Sequence, residues 1–127
     1  MLLDTHIFIW LVTEPDALSL ETQTLCRDRD NDLLLSLASI WEMQIKHQLG
    51  KLTFAVSLAD LISIQRVANR IALLPIALAH VLALQELPVL HKDPFDRMLV
   101  AQARVENLTL LTADGALPAY PVRIVKA

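Results

Sequence analysis

Acidic residues fall at a few chosen places in this chain. Asp4 follows the opening MLL, Glu42 lies inside SLASIWEMQIKHQLGKL, Asp93 and Asp96 share HKDPFDRMLVAQA, and Asp114 closes LTLLTAD. Carboxylates gathered in one place repel each other, and some must take up protons. A divalent cation relieves that repulsion, and a set of oxygen ligands favours a hard ion, Mg²⁺ or Mn²⁺. Ions of this kind activate water and steady the leaving oxygen of a displacement at phosphorus. Each acid also has a plain structural use. Asp93 before Pro94 suits a helix N-cap, and Asp96 two residues after that proline suits the positive end of the helix dipole. Asp4 suits the cap of the helix after it. Ser39 with Glu42 fits the S-x-x-E capping box, and Glu42 is four residues from Lys46. Asp114 with Gly115 reads as a turn. Placement weighs against these uses taken together, because Asp4, Glu42, Asp96 and Asp114 are all expected where a strand ends or a helix begins.

The elements that must position them alternate. Residues 1–3 read as a short strand and 5–12 as a helix, broken by Glu14, Pro15 and Asp16. Ser19 caps a helix reaching about residue 29, a turn occupies 30–32, and 33–36 is a buried strand. The next helix stops at Gly50, and Ser57 caps another to about residue 70. Residues 72–76 form a short strand, 79–87 a helix ending at Pro88, and the helix opened by Asp93 runs to about residue 106. LTLLT at 108–112 is the clearest strand, and YPVRIVK closes as the last. Strands alternating with helices predict an α/β fold, a single-domain three-layer α/β/α sandwich around a mainly parallel sheet, spanning residues 1–127. In such sheets ligands gather at the carboxyl ends of the strands. If the first strand and LTLLT are parallel neighbours, Asp4 and Asp114 emerge at one edge.

Bulk properties narrow the class. With 127 residues and 54% apolar content the chain can bury a core, and disorder is not expected. No apolar run is long enough for a membrane span, and the opening segment, with Asp4 in its middle, does not read as a signal peptide. The single Cys26 allows neither an internal disulfide nor a thiolate metal cluster, which points to the cytoplasm. The net charge of −3 does not advertise a nucleic-acid binder. The bases are unevenly placed, however: residues 1–32 hold seven acids and two bases, and residues 33–127 hold seven acids and nine bases.

LLDTH, SLASIWEMQIKHQLGKL, HKDPFDRMLVAQA and LTLLTAD, in this order and spacing, resemble a PIN domain, and within that family a VapC-type toxin ribonuclease of a toxin–antitoxin pair. The resemblance covers essentially the whole chain and implies a PIN-like fold and endonucleolytic cleavage of RNA with Mg²⁺ or Mn²⁺. It places the acidic quartet on Asp4, Glu42, Asp96 and Asp114, and the small hydroxyl residue beside it on Thr112. Asp93 falls in the DPFDR signature as an accessory carboxylate or N-cap. The resemblance also implies a homodimer and a cognate antitoxin whose tail enters the acidic groove. Residues 7–12 and 58–67 are the candidate contact surfaces.

Lys46, Lys92 and Arg97 could meet RNA phosphates, although a surface or ion-pair role suits each better. His6 and His91 stand near the expected site, and Trp10 and Trp41 could stack bases or fill the core. Asp4-Thr5-His6 lacks the second aspartate of a haloacid-dehalogenase-type phosphatase, and two glycines do not make a phosphate loop. The rival from another class is a non-catalytic α/β interaction module in which every acid is a cap or a turn residue.

Overall fold

Leucine runs of two or three residues are too short for buried helices, and in the computed structural model they form much of the sheet. The structure describes residues 1–89, 93–115 and 117–127. In these residues the chain runs β1 (Leu2–Leu3), α1 (Thr5–Thr13), α2 (Leu20–Arg27), β2 (Leu34–Ser36), α3 (Leu37–Gln48), α4 (Leu58–Ala68), β3 (Ala72–Leu74), α5 (Leu78–Ala83), α6 (Pro94–Val105), β4 (Leu110–Thr112) and β5 (Ile124–Lys126). All the strand pairings are parallel and the order is β3-β2-β1-β4-β5. The expected α/β architecture with a parallel sheet is therefore present. Because β1 is followed by β2 on one side and flanked by β4 on the other, the winding reverses between β1 and β4. That reversal opens a crevice at the carboxyl ends of these two strands.

Side chains alternate across the sheet with period two and build two cores. Leu3, Leu35 and Leu111 point to one face, where they pack with Ile7 and Phe8 of α1, Cys26 of α2, Met43 of α3 and Leu58 and Leu61 of α4. Leu2 and Leu110 point to the other, against Leu99, Val100, Ala101 and Ala103 of α6. Each fully buried Leu or Phe contributes roughly 1.5–3 kcal/mol. The burial of Ile7, Phe8, Leu58 and Leu61 assigns much of the two candidate contact surfaces to the core, leaving Ile64 and Val67 exposed.

Caps decide where the helices end. The Ser19 and Ser57 hydroxyls accept from the amides of Thr22 and Asp60, as expected. α2 stops two residues short of expectation because the Asp28 carboxylate accepts the Asp30 amide at 2.9 Å and turns the chain away. α3 ends at a left-handed Gly50 (φ 73°), with the Gly50 and Lys51 amides on the carbonyls of His47 and Lys46. α5 is shorter than the 79–87 helix expected and passes into a 3₁₀ turn over Leu84–Glu86. It is nevertheless pinned to α6. The buried His80 ring accepts the Ala77 amide at Nδ1, and its Nε2 lies 2.8 Å from Glu106 Oε1.

α6 carries the DPFDR motif, and its first turn is fixed from outside the helix. One oxygen of Asp93 accepts the amides of Phe95 (2.8 Å) and Asp96 (3.3 Å), and Pro94 occupies the first helical position. Asp93→Ala should remove about 1 kcal/mol and lower the melting temperature by about 4 °C. Thermal unfolding followed by circular dichroism checks this, and an unchanged midpoint would show that Pro94 alone sets the helix start.

Candidate functional site

β1 and β4 align Leu2 with Leu110 and Leu3 with Leu111, so Asp4 leaves its strand level with Thr112. The Asp4 amide donates to the Leu111 carbonyl at 2.9 Å, extending the ladder by one rung. The Asp4 carboxylate is 3% exposed and does not cap α1. Its Oδ2 instead accepts the Thr112 hydroxyl at 2.5 Å, and the same hydroxyl accepts the Asp114 amide at 3.0 Å. One threonine thus ties the β1 carboxylate to the loop that carries Asp114.

Asp96 arrives from the other direction, at the third position of α6. Asp4, Asp96 and Asp114 line one cavity of about 260 Å³, together with His6, Trp10 and Ala113. Three of the four acids expected to converge therefore do so. Glu42 is not in that lining. It lies on α3, 6% exposed, with Oε2 2.9 Å from Lys46 Nζ, yet its charge is felt at Asp4. The capping box expected of Ser39 and Glu42 does not form. Ser36 caps α3 instead, and Ser39 Oγ accepts the Thr5 hydroxyl at 2.9 Å, joining α3 to α1 beneath the site. The sequence pattern hid this buried pair because S-x-x-E occurs one turn inside the helix as well as at its start.

Arg97 spends its guanidinium on the carbonyls of Pro88 (3.0 Å) and Leu84 (3.2 Å), with Tyr120 Oη at 3.4 Å. It ties α6 to the segment before it, which leaves little of its fork for a phosphate. Lys46 is likewise engaged, by Glu42. Lys92 and His91 lie outside the described residues. Trp10 lines the cavity, whereas Trp41 is 60% exposed and meets Phe95 in a T-shaped contact, centroids 5.2 Å apart.

Burial pushes the Asp4 carboxyl above the usual range, and the charge of Glu42 adds to this. The Thr112 hydrogen bond, nearby His6 and the Thr5 backbone amide pull the other way. Two oxygens in this region, Asp4 Oδ1 and Glu42 Oε1, are buried with no hydrogen-bond partner among the described residues. Such atoms are costly unless something outside the chain satisfies them. A hard divalent cation fits an all-oxygen set with unsatisfied carboxylate oxygens. Among the described residues, no three or more histidine, cysteine or acidic side chains are placed closely enough together to hold a metal ion as they stand.

The sign of the Asp4 effect follows. A carboxyl whose folded value is raised weakens folding once it ionises. The penalty is absent below its unfolded value, near 3.8, and grows as pH rises from there through the raised folded value. Asp4→Asn should therefore melt higher than the parent at pH 7 in chelator, with the gain shrinking as pH falls towards 4. Melting curves across pH 4–8 check this, and an Asn variant less stable at pH 7 would show that the ionised carboxylate is held favourably.

A profile of the PIN domain family matches residues 1–122. Solved structures share the fold, among them the following three. VapBC2 from Rickettsia felis, bound to a DNA fragment from its promoter, superposes with a TM-score of 0.75 at 18% identity, covering 98% of this chain and 96% of that one. DNA-bound VapBC from Salmonella typhimurium gives 0.70 at 13%, and FitAcB from Neisseria gonorrhoeae 0.57 at 20%, both with the same coverage of 98% and 96%. No curated protein matches the sequence.

Proposed function

Because this chain belongs to the PIN domain family, we propose that it is a divalent-metal-dependent endoribonuclease, the VapC-type toxin of a toxin–antitoxin pair. The observation that carries the reading is the cavity at the β1–β4 crevice. Asp4, Asp96 and Asp114 line it, and Asp4 keeps one buried oxygen with no hydrogen-bond partner among the described residues. Asp4, Asp96 and Asp114, with Glu42 behind them, would hold Mg²⁺ or Mn²⁺. When bound, the ion supplies an activated water and neutralises charge on the phosphodiester. The chain's own contribution is placement. Thr112 fixes one oxygen of Asp4 and orients the Asp114 loop, the Asp93 cap fixes the turn that presents Asp96, and the core beneath Asp4 excludes water. No side-chain nucleophile is required.

The partner reading rests on charge and on apolar surface. An acidic groove suits the basic tail of a cognate antitoxin, which would compete with metal for the same carboxylates. The homodimer would use a face the sequence did not suggest. Leu78 and Leu82 of α5 are 72% and 57% exposed, and Ile76 just before them shares an apolar hollow with Trp41, Phe95 and Met98. An apolar face of this kind on a small domain marks a protein contact, and two copies meeting about a two-fold axis would cover it. Its counterpart expectation, residues 7–12, is largely core.

Two outcomes test these readings. The purified protein should cleave a pool of structured RNAs with Mn²⁺ or Mg²⁺ and lose the activity in chelator. Asp4→Asn and Asp96→Asn should each lose on the order of 10²–10³-fold. Cleavage that survives the chelator, or folded protein with neither cleavage nor Mn²⁺ binding, would favour the interaction module. Replacing Leu78 and Leu82 together by Glu should convert a dimer to a monomer in light scattering, and a dimer that persists would place the interface elsewhere.

A further inference from the structure

The Glu42–Lys46 pair has the sequence spacing of an ordinary surface helix pair but not its surroundings. Four residues apart on α3, such pairs usually lie in solvent and add a few tenths of a kcal/mol. Here Glu42 is 6% exposed, and its second oxygen is buried with no hydrogen-bond partner among the described residues. Lys46 is the group that meets the first, at 2.9 Å, and its own side chain is about one-third exposed. Glu42 in turn acts on Asp4, whose Oδ1 is likewise buried with no hydrogen-bond partner among the described residues. The pair therefore joins solvent to the buried end of the acidic cluster, with a mobile, strongly hydrated cation at its outer end.

We propose that Lys46 is the resident counter-ion of the acidic site, occupying Glu42 before a divalent ion is bound and competing with that ion for the carboxylate. This rests on the reading of Glu42 as part of a metal site. Without a cation, two buried carboxylates stand close enough to feel one another, and the ammonium partly neutralises one of them. When a divalent ion takes over that role, Lys46 becomes redundant at Glu42, and its partial exposure lets it swing out to water. The side chain then acts as a positioning residue that sets metal affinity and keeps the unloaded site folded.

The test is calorimetric titration of Mn²⁺ into the full-length parent, Lys46→Met, Lys46→Gln and Lys46→Arg, with melting curves in chelator. Removing one positive charge beside a carboxylate near the surface should tighten Mn²⁺ binding on the order of tenfold in Lys46→Met and Lys46→Gln. Lys46→Arg, which keeps the charge, should restore the parent affinity. The same two neutral variants should melt lower than the parent in chelator and show a larger Mn²⁺-induced rise. Neutral variants that bind Mn²⁺ as the parent does would reduce Lys46 to a helix pair and overturn the proposal. Weaker binding in them would also overturn it, by making Lys46 a support for the metal rather than its competitor. A parent that binds no Mn²⁺ would instead sink the metal-site reading beneath it, so the two failures are distinguishable.

Discussion

The hydrogen bond from Thr112 to Asp4 joins the two strands at which the sheet reverses its winding, and the acidic site is assembled around it. Asp4 is held by backbone on one side, through its amide on Leu111, and by side chain on the other. Thr112 can do this only because β1 and β4 are parallel neighbours in register, which sets the two residues side by side at the carboxyl edge. The same hydroxyl takes the Asp114 amide, so the position of a second carboxylate is slaved to the first. α6 then delivers Asp96 to this edge with its first turn fixed by Asp93.

That arrangement works against folding in isolation. A carboxylate lifted out of water on an apolar floor, with another acid close by, is a source of strain rather than stability. The cost is tolerable because the rest of the domain is built conservatively. Leucines fill both faces of the sheet, and α5 is locked to α6 by a buried His80 between Ala77 and Glu106. A stable frame that carries an unfavourable cluster of like charges is what an ion-dependent site requires, because the ion's binding energy is then spent on relieving a defect that already exists.

Much of this was legible in the sequence. The alternation of short leucine runs with capped amphipathic segments gave the parallel α/β fold, and the position of acids at element boundaries located the edge on which Asp4, Asp96 and Asp114 meet. The cap at Asp93 and the stop at Gly50 follow from local chemistry that acts within a few residues, and both hold. What could not be read depends on contacts between distant segments. The capping box at Ser39 was a local pattern overridden by a tertiary partner, Thr5, thirty-four residues away. Arg97, beside Asp96, read as a partner for a site carboxylate or a phosphate, but its carbonyl partners come from the preceding segment. The exposed apolar face of α5 was likewise invisible, since a short amphipathic helix does not reveal which of its sides the domain leaves uncovered.

The central claim is that three carboxylates from separate elements form one cation site at the β1–β4 crevice. Diffraction from crystals soaked in Mn²⁺, with anomalous difference maps collected near the manganese edge, tests it most directly. The account predicts a peak in the cavity lined by Asp4, Asp96 and Asp114 that disappears in Asp96→Asn. A map with no peak there at saturating Mn²⁺, or one unchanged in the variant, would contradict it.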